Sequence, residues 1–162
     1  MKALFRPLIL AGLFAAGTAL AAGDPVGSSE SKDPVLEKVS AATKREDWAG
    51  AAGVLRDALA ADPNNPNYHN LYAYSVRKGA KPDMNLVFKH YNEALRIDPK
   101  HRGALSYSGE LYLMKGDMAS AEKRLGALDK ACFLPCEEYS TLKKAVQQFK
   151  AAGNKYESSS SY

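Results

Sequence analysis

What this chain has little of narrows its chemistry. It holds two cysteines and three histidines in 162 residues. A metal site would need more ligands than Cys132, Cys136 and the scattered His69, His90 and His101 bring together. The sequence lacks a serine elbow, a phosphate loop, a His-Glu metal helix and a carboxylate pair in a defined turn, so no catalytic residue is expected. No cofactor is expected either. Charge of one sign is scarce as well: 22 basic against 18 acidic residues leave a formal charge of +4. That imbalance is too mild to argue for nucleic acid or for a strongly anionic membrane. Long apolar runs are missing beyond the first 22 residues, and even that opening run falls short of the roughly 20 apolar residues of a membrane span.

The opening residues have a different logic. Lys2 and Arg6 precede an apolar stretch from Leu8 to Ala22, and Ala19-Leu20-Ala21 offers the small-x-small pattern of a cleavage site. These features read as a secretory signal peptide over 1–21, giving an exported, periplasmic chain that begins at Ala22 and has no membrane span after cleavage. No cysteine stands near the exit, so a lipoprotein anchor is not expected. Cleavage removes Lys2 and Arg6 and lowers the charge from +4 to +2. About 140 residues remain, enough for one domain with a continuous core. Residues 22–32 read as a flexible Gly/Ser/Pro-rich lead and 154–162 as a disordered tail.

Between them the chain repeats. Asp62-Pro63 recurs as Asp98-Pro99, 36 positions on, each after an Ala-Leu pair. Ala51 and Leu55 correspond to Val87 and Tyr91 at the same offset, then to Ala121 and Leu125 after 34 more. On the preceding helices, Ala73 and Val76 correspond to Gly109 and Tyr112. From Val76 to Val87 is 11 residues, whereas Tyr112 to Ala121 and Ala42 to Ala51 are each 9. The middle copy therefore carries two extra residues in its own turn, Gly79 to Asp83. Subtracting them leaves a period of 34, with two helices per period. Beyond the repeats, Tyr139, Leu142, Ala145, Val146 and Phe149 share one face of a helix over 137–151, with Gly153 as its stop. The spacing predicts seven helices, three hairpins and a cap.

LYAYSV, GELYLMKGDMASAEKRL and EALRIDP resemble successive pieces of the tetratricopeptide repeat. The resemblance implies an all-α tetratricopeptide-type hairpin solenoid of about three repeats with a C-terminal capping helix, over 33–153. Ala73 and Gly109 would be small where the two helices of one repeat approach, Tyr72, Val76 and Tyr112 would fill the space around that contact, and Tyr91 too would be a packing residue. Pro63 and Pro99 would stop one repeat and start the next helix. The resemblance also implies a concave groove, lined by the first helix of each repeat, that takes a protein or peptide partner. Carried over by phase, the groove residues are Asn67, Asn70, Tyr74 and Arg77, then Arg102, Ser106 and Glu110. Asn70, Tyr74 and Arg77 should then be dispensable for the core. A carboxylate clamp is not expected, because the first copy offers Leu36 and Ser40 with no basic residue.

Cys132-Phe-Leu-Pro-Cys136 is the feature the repeat does not supply. Pro135 breaks the helix so that the two cysteines can approach, and export to oxidising conditions puts a structural disulfide first. A redox-active pair, free thiols and a metal remain open. The functional expectation is a non-catalytic adaptor or assembly factor of the cell envelope. The rivals are an accessory subunit of a redox or envelope enzyme complex, docked by its convex face and Cys-bearing cap, and a thiol-redox protein using Cys132 and Cys136.

Overall fold

Polar residues placed just ahead of apolar stretches decide where the helices begin. A computed structural model of the protein describes residues 33–156, and every regular element there is helical. The helices are α1 Pro34–Lys44, α2 Trp48–Ala61, α3 Pro66–Lys78, α4 Met84–Ile97, α5 Arg102–Met114, α6 Met118–Ala131 and α7 Glu137–Ala151. The expected signal peptide and lead, and the tail beyond residue 156, lie outside the described residues. Asp33, Asp47, Asn65, Asp83, His101 and Asp117 each cap a helix by accepting bonds from first-turn N–H groups. The start of α7, at Cys136, has no side-chain cap. Pro34 and Pro66 sit in the first turns of α1 and α3, where a missing N–H costs nothing. Pro63 and Pro99 lie in turns instead, and neither starts the helix that follows.

The turns explain the repeat spacing. α1 and α5 end in the same pair of crossing bonds: Glu46 N–H to Thr43 and Asp47 N–H to Ala42, then Gly116 N–H to Leu113 and Asp117 N–H to Tyr112. Both put a left-handed residue between the helices, Glu46 at φ 56° and Gly116 at φ 77°. Each turn spans the three residues between its helices, while Gly79–Asp83 between α3 and α4 spans five. The two extra residues fall where the period placed them.

Each helix packs against the next in the chain, α7 packs on both α5 and α6, and α3 also touches α5. Ala51, Val87 and Ala121, one register position of α2, α4 and α6, are all fully excluded from solvent. The apolar interior falls into two clusters. Val39, Ala42, Ala51, Leu55 and Tyr68 form the smaller one. The larger runs from Ala73 through Val87, Tyr91, Leu105 and Leu111 to Leu128, Leu142, Val146 and Phe149. α3 serves both, with Tyr68 in one and Ala73 in the other.

Gly109 is needed for a different contact than the repeat suggested. A Cβ there would stand 2.5 Å from Cδ2 of Leu142, on α7 and not on the paired helix α6. The small residue admits the last helix, because the Gly109 side of α5 faces α7. Cys132 and Cys136 are bonded, with Cα atoms 5.9 Å apart, and Cys132 packs against the larger cluster. Among the described residues no helix is long and apolar enough to cross a membrane.

Candidate binding face on α3 and α5

The residues carried over as a groove come together, but several are buried. Arg77 on α3 donates through Nη2 to Glu110 Oε2 on α5 at 2.9 Å. Side-chain exposure is 15% for Arg77 and 2% for Glu110. Burial works against the arginine charge, yet Glu110 together with Tyr91 and Tyr156 outweighs it and the guanidinium pKa rises. Asn70 and Ser106 are buried too, and Ser106 Oγ donates to the Glu138 carbonyl at the start of α7. The expectation that Asn70, Tyr74 and Arg77 are dispensable for the core is therefore corrected. α7 covers part of the face, and the ion pair joins two helices from within.

The rest of the face is a row of contacts between α3 and α5. At its outer end the exposed Asn67 accepts from His101 Nε2 at 3.0 Å, and His101 Nδ1 in turn caps α5 at Ala104. In the middle the rings of Tyr74 and Tyr107 lie 4.9 Å apart. Trp48, at the start of α2, meets Tyr74 edge-on at 5.8 Å, with the Lys78 ammonium 5.6 Å from its ring. At the inner end stands the Arg77–Glu110 pair, with Tyr91 beneath it in α4, fully enclosed. Burial pushes the Tyr107 hydroxyl up to about 12 and raises those of Tyr74 and Tyr91 as well. These phenols stay protonated and present donors. Four buried polar atoms here and nearby have no hydrogen-bond partner: Asn70 Oδ1, Ser75 Oγ, Tyr91 Oη and Glu110 Oε1. Arg102 remains exposed at the rim, 3.8 Å from Glu138.

Residue type alone missed two features. His69 and His90, scattered in the sequence, form a pair with Nδ1 atoms 2.8 Å apart, and His69 is buried. His69 Nε2 lies 2.9 Å from the Pro63 carbonyl, which can only accept, so Nε2 carries a proton. A singly protonated His69 then accepts at Nδ1 from His90. Burial, then His69 and Lys89, holds the His90 pKa down at about 4. The pair ties α3 to α4 and to the turn before α3. No local pattern announces it, because its members are 21 residues apart. The second feature is Tyr68, whose hydroxyl donates to Asp33 Oδ2 at 2.8 Å and is raised to about 12 by that bond. It ties α3 to the cap of α1.

Away from this face, Phe133 is 100% and Leu134 72% exposed between the bonded cysteines. Among the described residues no three His, Cys, Asp or Glu side chains gather as a metal site. No family model matches the chain, and no curated protein matches it either.

Proposed function

We propose that the protein is a non-catalytic scaffold or assembly factor of the cell envelope, a tetratricopeptide-type array of three hairpins closed by α7, which holds a protein segment against α3 and α5. The observation that carries this is the row Asn67–His101, Tyr74–Tyr107 and Arg77–Glu110. Two helices 36 residues apart by their first residues, Pro66 and Arg102, meet along a line of aromatic and polar side chains. Such a row suits a partner backbone and side chains better than it suits catalysis, since it has aromatic surface, donors and a fixed charge pair but no nucleophile beside a base. The shared register of Ala51, Val87 and Ala121 supports the repeat reading. The leader-like opening sequence and the disulfide support export.

A second reading rests on Phe133 and Leu134, which the disulfide loop holds in solvent. Two large apolar side chains displayed together favour docking through the cap to a larger envelope complex. Cross-linked capture from native envelopes separates the two. Tyr74→Ala with Tyr107→Ala should reduce capture at least tenfold if the face binds. Phe133→Ser with Leu134→Ser should do so if the loop binds. Full capture by the tyrosine variant, with its melting temperature retained, would sink the first reading.

A further inference from the structure

The end of α7 is built to turn the chain back. Gly153 N–H bonds the Lys150 carbonyl at 3.2 Å and Asn154 N–H bonds that of Phe149 at 2.9 Å. Gly153 and Asn154 are both left-handed, at φ 67° and 63°. Glycine adopts this region freely and asparagine is among the few other residues that enter it readily. Two such residues in succession reverse the chain. Tyr156 then lies half-buried against the larger cluster, within electrostatic reach of Arg77 and Glu110. Residues 154–156, expected to begin a disordered tail, are folded back onto the domain.

Tyr156 thus joins Tyr74, Tyr91 and Tyr107 around one buried ion pair. Glu110 Oε1 has no donor even with Tyr156 in place, so Tyr156 is held here by the packing of its ring against the cluster and not by a hydroxyl bond to the carboxylate. We propose that the α3–α5 face accepts a partner segment presenting an aromatic side chain, and that Tyr156 is the chain's own competitor for that position. This rests on the reading of the face as a protein-binding surface. A tether of a few residues gives an effective concentration on the order of millimolar. An incoming segment must exceed that, so the full chain binds weakly until Tyr156 is displaced.

The probe is the chain's own sequence, a capped peptide of residues 153–158, Gly-Asn-Lys-Tyr-Glu-Ser. Its binding to full-length wild-type and Tyr156→Ala protein is followed by backbone amide NMR shifts. At millimolar peptide, shifts along α3 and α5 should appear in the variant at a Kd at least tenfold lower than in wild type. A peptide with alanine for tyrosine should give none. Equal binding to both proteins on this face, or equal binding of the alanine peptide, overturns the inference and leaves the binding face standing. No shift in either protein also overturns it. If capture then proves indifferent to Tyr74 and Tyr107, the reading of the face falls too.

Discussion

Protonation of one side chain should be visible in the stability of the whole domain. His90 has a pKa of about 4 in the fold against an ordinary 6.5. The unfolded chain therefore binds the proton first as pH falls. Stability from this group is complete above pH 6.5 and is lost as pH drops toward 4. The groups around the ring are His69 and Tyr72 from α3, with Lys89 and Glu93 from its own helix. Urea melts should show a loss on the order of 1 kcal/mol between pH 7 and pH 5, allowing for solvent screening of a half-exposed ring. His90→Asn, which keeps a donor near the Nδ1 position, should flatten that slope. The Arg77–Glu110 pair makes a larger demand. Arg77→Ala leaves Glu110 buried and unpaired and should cost about 3 kcal/mol in chemical denaturation. Arg77→Met with Glu110→Leu should recover most of it. A loss under 1 kcal/mol in the single variant would mean water reaches Glu110.

At the scale of an element, the paired turns invite comparison. Glu46 occupies the left-handed position that Gly116 fills in the matching turn. Glu46→Gly should therefore stabilise the protein by about 1 kcal/mol, measured as a higher denaturation midpoint. Gly109→Leu should do the opposite and drive α7 from α5, since even a Cβ there collides with Leu142. Its signature would be lost amide protection in residues 137–151 ahead of the rest. These elements also show what a sequence reveals. Helix number, the two-residue insertion and the buried Ala51, Val87 and Ala121 were legible because periodicity records which face meets a neighbour. Burial of Asn70, Arg77 and Glu110 was not. A polar side chain reads as solvent-facing until the partner 33 residues away that compensates it is known. The return of Tyr156 was hidden for a related reason. Gly153 announces that a helix stops, but not where the chain goes next.

For the molecule as a whole, the division of the core sets the order of opening. The cluster under α1 and α2 is the smaller and reaches the remainder through α3. α1 packs on α2, and α2 in turn on α3, so the first two helices have few neighbours to hold them. Native-state hydrogen exchange should show residues 34–61 opening at lower free energy than 84–128. Uniform protection would mean that the Tyr68–Asp33 bond and the α2–α3 contact couple the halves fully. Reduction of Cys132–Cys136 should loosen residues 132–151 and leave the earlier helices protected, because the bond closes a loop of only a few residues. The five-residue connection at Gly79–Asp83 has a further consequence. The repeat keeps its phase on either side of two added residues, and Ala80, Lys81, Pro82 and Asp83 are all solvent-exposed. It is the natural seam for dividing the chain: two fragments parted there would each keep intact helices, with the packed faces of α3 and α4 left to rejoin them.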